Sequence, residues 1–277
     1  MFNHRRKISA VSTVIRQASE TLQIEDAQDK NKCKDFTIKV ANTLEEREAV
    51  FQLGYQVYLD KGYIKENGSG RMIQNYDIDP STIILIVKNK DNNIVGSVTL
   101  VFDGDSILPA EKIYSNELNI LRQKNEKIVE ISRLVIDPQY RNSKEILVLL
   151  FNYLYIYAYF VKKYTCLSIE VNPRHTTYYK TLLHFRSIGD EKPCPNVQSA
   201  PAILMYLPLH HGHSEVLRIS KIKDAEKNNR SLYNFFLKPE QQSLVAQFLR
   251  KQASPLSMEE KIYFGFADSN IGQTVCT

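Results

Sequence analysis

Metal-ligand spacing is absent from this 277-residue chain. Its four cysteines, Cys33, Cys166, Cys194 and Cys276, lie far apart, with no CxxC pair and no cysteine–histidine cluster. No metal site or disulfide framework is therefore expected, and free thiols in a reducing compartment predict a cytoplasmic protein. Three of the six histidines fall in His210-His211-Gly212-His213; following a predicted last strand, this tract is expected to be a loop. Long apolar runs are missing as well. None follows Arg5, Arg6 and Lys7, so no secretory signal is expected. Ile146 to Val161 is interrupted by Asn152 and four tyrosines. It falls short of the about 20 apolar residues a membrane span needs, and a buried helix is predicted. Neither charge sign dominates: 36 Lys and Arg stand against 31 Asp and Glu, a net +5. That balance is too mixed to indicate nucleic acid. It suits an acidic protein partner or peripheral contact with the inner membrane face equally well, and an ordinary solvated surface is the plain alternative. No serine-nucleophile elbow and no internal repeat is present.

What is present is an ordinary globular composition, 43% hydrophobic and 24% charged, enough for a sizeable core. Residues 1–35 form an N-terminal extension, where Val11, Val14, Ile15 and Ala18 share one face of an amphipathic helix before a charged linker. Phe36 to Val40 alternates as a first strand. Thr43, followed by Glu45 and Glu46, marks a helix start, and Lys61-Gly62-Tyr63 its end. Ile64 to Asn75 is expected to be a mobile loop. Thr82 to Val87 and Ile94 to Phe102 form a hairpin. Leu108 to Leu121 is expected to be a lid-like connection with a short helix. A strand over Lys127 to Ile136 stops at Asp137-Pro138. A long helix over Ser143 to Lys163, a strand over Thr165 to Val171, a helix over His175 to Phe185 and a strand over Ala202 to Leu207 complete a domain spanning 36–209. Residues 210–277 form a C-terminal helical extension, packed on the domain or on the mate of a homodimer. Hairpins mixed with a crossover imply a mixed central sheet flanked by helices, α/β to α+β in class.

One segment carries chemistry. Glu130 is a lone acid on a predicted central strand, costly to bury unpaired, and burial would raise its pKa towards that of a useful base. A structural ion pair with Arg133 is the alternative. Strand alternation puts Glu130 and Ser132 on one face and Arg133 on the other. Only a bulge between Ile131 and Arg133 brings Glu130 and Arg133 together, so a bulge is predicted there.

Glu130-Ile131-Ser132-Arg133 is similar to the E-x-S-R core of acyl-homoserine lactone synthases. Leu134-Val135-Ile136-Asp137-Pro138-Gln139-Tyr140-Arg141 resembles the strand-to-helix entry of GNAT acyltransferases. The long-chain N-acyl amino acid synthases (FeeM-type) combine the two, and this chain resembles them over about residues 50–209. Asp105-Ser106, Leu108-Pro109, Val171-Asn172-Pro173-Arg174-His175, Tyr178-Tyr179 and Pro193-Cys194-Pro195-Asn196-Val197 belong to the same series.

The resemblance implies a GNAT fold and an acyltransferase moving a fatty acyl group from acyl carrier protein to an amino acid's amine. The amine attacks the thioester directly, with no covalent enzyme intermediate. No tightly bound cofactor or metal is implied; the co-substrate is the acyl-phosphopantetheine of the carrier protein, or acyl-coenzyme A. Arg141-Asn142-Ser143-Lys144 lacks the glycine-bearing loop with which coenzyme A users cradle pyrophosphate. That favours the carrier protein, whose single phosphate Arg141 or Lys144 would meet.

Glu130 would then accept the proton or orient the amine, and the backbone of Leu134, Val135 and Ile136 would hold the thioester oxygen. Ser132 would bond the pantetheine or the oxyanion, or simply fill a small site. Tyr179 would protonate the leaving thiolate, and Tyr58, Tyr63, Asp77 and Asp79 would line the acceptor site. His175 is a cap or a site residue, and His184 a structural one. Tyr153, Tyr155, Tyr157 and Tyr159 are expected in helix packing, some of them along an acyl tunnel. Two other activities share parts of this pattern. A homoserine-lactone-type signal synthase is disfavoured by the strand Val95 to Leu100, which lacks the usual basic residue, and by the absence of tryptophan. A catalytically degenerate GNAT binding module draws its support from the missing glycine loop.

Overall fold

The computed structural model describes residues 35–104, 107–222 and 230–266. The expected N-terminal helix and Asp105-Ser106 lie outside the described residues. Strand β1 (Phe36–Val40) leads into helix α1 (Leu44–Asp60), where the Thr43 hydroxyl accepts from the Glu46 N–H at 3.3 Å and starts the helix as its capping pattern requires. The hairpin β2 (Ile83–Asn89) and β3 (Ile94–Phe102) turns on Asn89, whose side chain accepts from the backbone of Asp91 and Asn93. Helix α2 (Glu111–Gln123) precedes β4 (Ile128–Ile136). Helix α3 (Lys144–Ile156), capped by Ser143, ends in a π-helical turn over Tyr157–Val161. Then follow β5 (Cys166–Val171), α4 (Thr176–Leu183), the short β6 (Arg186–Ser187) and β7 (Lys192–Cys194), and β8 (Ala200–Pro208). The tail adds α5 (Leu209–Ser220), α6 (Pro239–Gln252) and α7 (Met258–Tyr263).

The sheet runs β1-β2-β3-β4-β5-β8-β6, with β7 beside β8. Every neighbouring pair is antiparallel except β4 and β5, which the α3 crossover makes parallel. One face carries α3 and the tail: Val98, Leu100, Val129 and Ile131 pack with Ile146, Leu150, Val245 and Leu249. Burial of roughly 1.5–3 kcal/mol per large aliphatic side chain ties the tail to the core. The opposite face carries α2, through Val101, Leu108, Tyr114 and Leu118, and α1, through Val50 and Phe51.

Several expectations change. The supposed lid is a 13-residue helix whose Tyr114 is fully buried. The histidine tract is helical, because Leu209, Gly212, Val216 and Ile219 face the core at helical spacing. Gly212 is needed there: a Cβ would come within 3.2 Å of the Tyr233 hydroxyl. The polar loop after α1 contains a 3-10 turn over Asn75–Ile78 that buries Asp77. By length and composition Lys144–Val161 could cross a membrane, but 67% of it is buried in the fold, as a core helix is.

Candidate active site

The registered pairing of β4 with β5 ends at Ile131↔Ile169, although both strands continue. Beyond that pair they part. A cavity of about 450 Å³ opens between them, lined by Ser132, Leu134, Glu170, Val171 and Tyr179 and also by Tyr58 and Tyr76. The Asp137 N–H bonds Val95 on the β3 side. Since strand amides alternate in direction, those of Ile136 and Leu134 point to the side that β5 has left.

A bulge is present, but at Arg133 and Leu134, at the end of the span where it is predicted rather than inside it. Ser97 of β3 faces Val135 whereas Thr99 faces Ser132, so Arg133 and Leu134 together oppose Val98. Arg133 takes a left-handed φ of 43°. The extra residue brings Glu130, Ser132 and Arg133 to one face. The pairing of Glu130 with Arg133, however, does not form. Arg133 forks onto Asp77, with Nη1–Oδ2 2.8 Å and Nη2–Oδ1 2.5 Å, and also donates to Met72 O and Thr99 Oγ1. Both partners are buried, and Gly54 makes room: a Cβ there would sit 3.2 Å from Arg133 Cδ. Arg133 thus clamps the loop before β2 onto the sheet. That loop delivers Tyr76, whose hydroxyl lies 3.1 Å from Ser132 Oγ.

Glu130 is 2% exposed and lines the cavity, its Oε2 accepting from the Ala110 N–H at 2.9 Å. Burial pushes its pKa well above the ordinary carboxylate value, the charge of Glu170 adds to this, and the Ala110 bond opposes it. Glu170 is a second carboxylate in the same cavity, pushed up to about 7 by burial while contact with Cys194 holds it lower. Burial also raises the phenol pKa of Tyr58, to about 12, and raises those of Tyr76 and Tyr179, so all three are neutral donors near pH 7.

At the mouth lie Lys61, Arg141 and His175, with Arg174 beside them. Burial, then the charges of Arg174 and Arg141, lowers the Lys61 pKa. Arg174 donates to His175 Nε2 and to the Tyr63 hydroxyl. None of Lys61, Arg141 and Arg174 joins an ion pair among the described residues.

Glu130, Ser132, Arg133, Leu134, Tyr179, Arg141, Tyr58 and Tyr63 therefore meet at one cavity. The remaining expected site residues do not. Lys144 sits 3.7 Å from the Phe235 ring centre, and Ser143 is spent capping α3. Asn142 is absent from the cavity wall, as are the side chains of Val135 and Ile136. Asp77 serves Arg133, and Asp79 accepts from Ser81. None of Tyr153, Tyr155, Tyr157 and Tyr159 lines the cavity; the first three are buried in the core, and Tyr159 packs beside them. Glu170, Cys194, Tyr76 and Lys61 were missed. Glu170 had the same signal as Glu130, a lone acid on a buried strand; Tyr76 and Lys61 had none.

A family model described as N-acyl amino acid synthase FeeM matches residues 49–208. Among solved structures the chain is similar to FeeM, an N-acyl amino acid synthase from uncultured soil microbes, at 25% identity and TM-score 0.55, over 63% of this chain and 90% of that one. It is also similar in fold to BjaI, a CoA-dependent acyl-homoserine lactone synthase solved with MTA, at 12% identity and TM-score 0.53, over 71% of this chain and 92% of the other. No curated protein matches.

Proposed function

The chain belongs to the FeeM family of N-acyl amino acid synthases and is an acyltransferase of GNAT fold; from that premise we propose that it moves a long-chain acyl group from acyl carrier protein to the amine of an amino acid. The observation that carries this reading is the parting of β4 from β5 beside Glu130. A thioester is already activated, so the enzyme must mainly position the amine, hold the developing oxyanion and supply a proton to sulfur. The cleft has a group for each task. The Leu134 and Ile136 amides face the place where a thioester oxygen would lie, with Ser132 close by. Glu130 orients the amine. Tyr179, neutral near pH 7, donates to the leaving sulfur. Leu134, Leu147, Ile169 and Val171 offer an apolar wall for the acyl chain.

Direct attack is favoured over an acyl-enzyme. Cys194 is the one thiol lining the cavity among the described residues, and burial pushes its pKa up to about 11, which disfavours the nucleophilic thiolate. A carrier-protein donor is supported by the missing glycine loop after Arg141 and by the cations at the mouth, which suit the single phosphate of a pantetheine arm and an acidic carrier surface. The free thiols of Cys166 and Cys194 support a cytoplasmic setting.

Two measurements test the reading. Mass spectrometry of lipids from cells expressing the chain, against an empty control, is expected to show a new N-acyl amino acid series. The purified protein is expected to use acyl carrier protein donors at higher kcat/KM than the matching acyl-coenzyme A, and Glu130→Ala, which removes the orienting group altogether, to lower turnover strongly. A preference for coenzyme A would overturn the donor assignment, and near-normal turnover in Glu130→Ala would refute that residue's role.

A further inference from the structure

We propose that Glu170 is a further catalytic residue, the group that takes the proton from the incoming ammonium, and that it works with Glu130 as a carboxyl pair holding a single proton. The inference rests on the amine-acceptor reading above. Glu130 pairs with Ser168 and Ile131 with Ile169, so Glu170 stands one residue past the last registered pair. The period of two puts it on the same face as Glu130. Strand spacing of about 4.8 Å and a rise of about 3.3 Å per residue set the two backbone positions about 8 Å apart, a gap two glutamate side chains bridge. Both line the cavity.

Neither carboxyl has a cation in contact among the described residues. Glu130 has the Ala110 amide. Glu170 Oε1 is buried without a hydrogen-bond partner, and Oε2 has only the Cys194 thiol at 3.8 Å. The other titratable groups around the pair are Glu111, Lys112 and Tyr114 on α2 and Tyr58 on α1. Of these, Lys112 is bonded to Asn196 at 2.6 Å. Two like charges facing one partly buried cavity resist ionising together, and the charge of Glu170 raises the Glu130 pKa. The proton stays on Glu130, which the protein buries more deeply, and the charge resides on Glu170. A carboxylate titrating near neutrality is a better match to an ammonium than one in the ordinary range.

The steps balance. Glu170 carboxylate takes one proton from the ammonium, and the freed nitrogen pair forms the C–N bond while the carbonyl π pair moves to oxygen. When that pair returns, the C–S bond breaks and its electrons leave on sulfur. Tyr179 protonates the thiolate and is reprotonated by the nitrogen's second proton. Glu170 then releases the first proton to solvent.

Two readouts on the full chain test this. The first follows the glutamate side-chain carbons by 13C NMR without substrate. A carboxyl titrating near neutrality is expected in the wild type and in Glu130→Gln, whose amide mimics the protonated partner, and is expected to vanish in Glu170→Gln. Titration of Glu170 in the ordinary carboxylate range would overturn the pair. The second is the pH profile of kcat/KM. Glu170→Gln is expected to lose roughly 10²–10⁴-fold and the acid limb of the profile, with Glu170→Asp recovering part of both. A Glu170→Gln enzyme within about threefold of wild type, with its acid limb intact, would overturn the base assignment. Wild-type protein that acylates no amine would sink the functional reading and the base assignment with it, while the titration would still decide whether Glu170 keeps its proton towards neutrality, as a member of such a pair must.

Discussion

Replacing Asp77 with alanine should destabilise the protein more than any substitution at the cavity mouth. Arg133 and Asp77 have side chains only 1% and 0% exposed, and their fork is the ion pair that fastens the loop carrying Tyr76. Burying such a pair gains little net energy, yet removing one member leaves a charge in the interior with no counter-charge, at a cost of about 3–5 kcal/mol. In a domain of this size about 1 kcal/mol corresponds to roughly 2–4 °C in Tm. A fall of about 6–20 °C is therefore expected in thermal unfolding followed by circular dichroism. Neutralising both sites with apolar residues, Asp77→Leu with Arg133→Met, should recover much of the loss, since no stranded charge remains. Turnover should suffer in Asp77→Ala through displacement of Tyr76, although Asp77 itself is outside the cavity wall. A Tm within about 3 °C of wild type, or a double variant whose loss is the sum of the two single losses, would refute the clamp.

Other expectations are independent of that clamp. Arg141→Ala should raise KM for the acyl donor by roughly tenfold, as the loss of one charge-assisted hydrogen bond does, and weaken its salt dependence. Lys144→Ala, which faces Phe235, should leave KM unchanged in the same steady-state assay. Glu170 has a folded pKa of about 7, above its ordinary value, so the native state holds that proton more tightly than the unfolded chain. Its contribution to stability is full at low pH and is lost as pH rises towards 7. Urea unfolding at several pH values should therefore show Glu170→Gln gaining on wild type from about pH 5 to 8, by roughly 3 kcal/mol at most.

The local grammar of the fold was legible. Alternation over Phe36–Val40, the Thr43 cap and the turn starting at Asn89 each place an element by short-range rules, and the structure keeps them. The histidine tract shows the limit. Its place directly after the last strand argued for a loop, but the buried face from Leu209 to Ile219 makes it a helix.

The candidate site divides in the same way. Glu130 and Ser132 followed from one strand, because a lone acid on a buried strand is visible in a single segment; the bulge was expected from a Glu130–Arg133 pairing, and it forms although Arg133 pairs with Asp77 instead. Glu170 carried the same signal and was overlooked. Arg133's partner was not legible at all, since Asp77 lies 56 positions away in a polar loop and only the folded chain brings them together. The sequence by itself determined the main strands and helices up to β5 and α4, the last strand, the acid at position 130 and the family, each of which rests on short motifs; it did not show β6, β7 or the helix over the histidine tract. Tertiary structure alone decided that Arg133 clamps a loop, that Lys144 turns away, and that β4 and β5 part to set two carboxyls in one cavity. Those depend on which distant segments share buried space, and no local pattern encodes that.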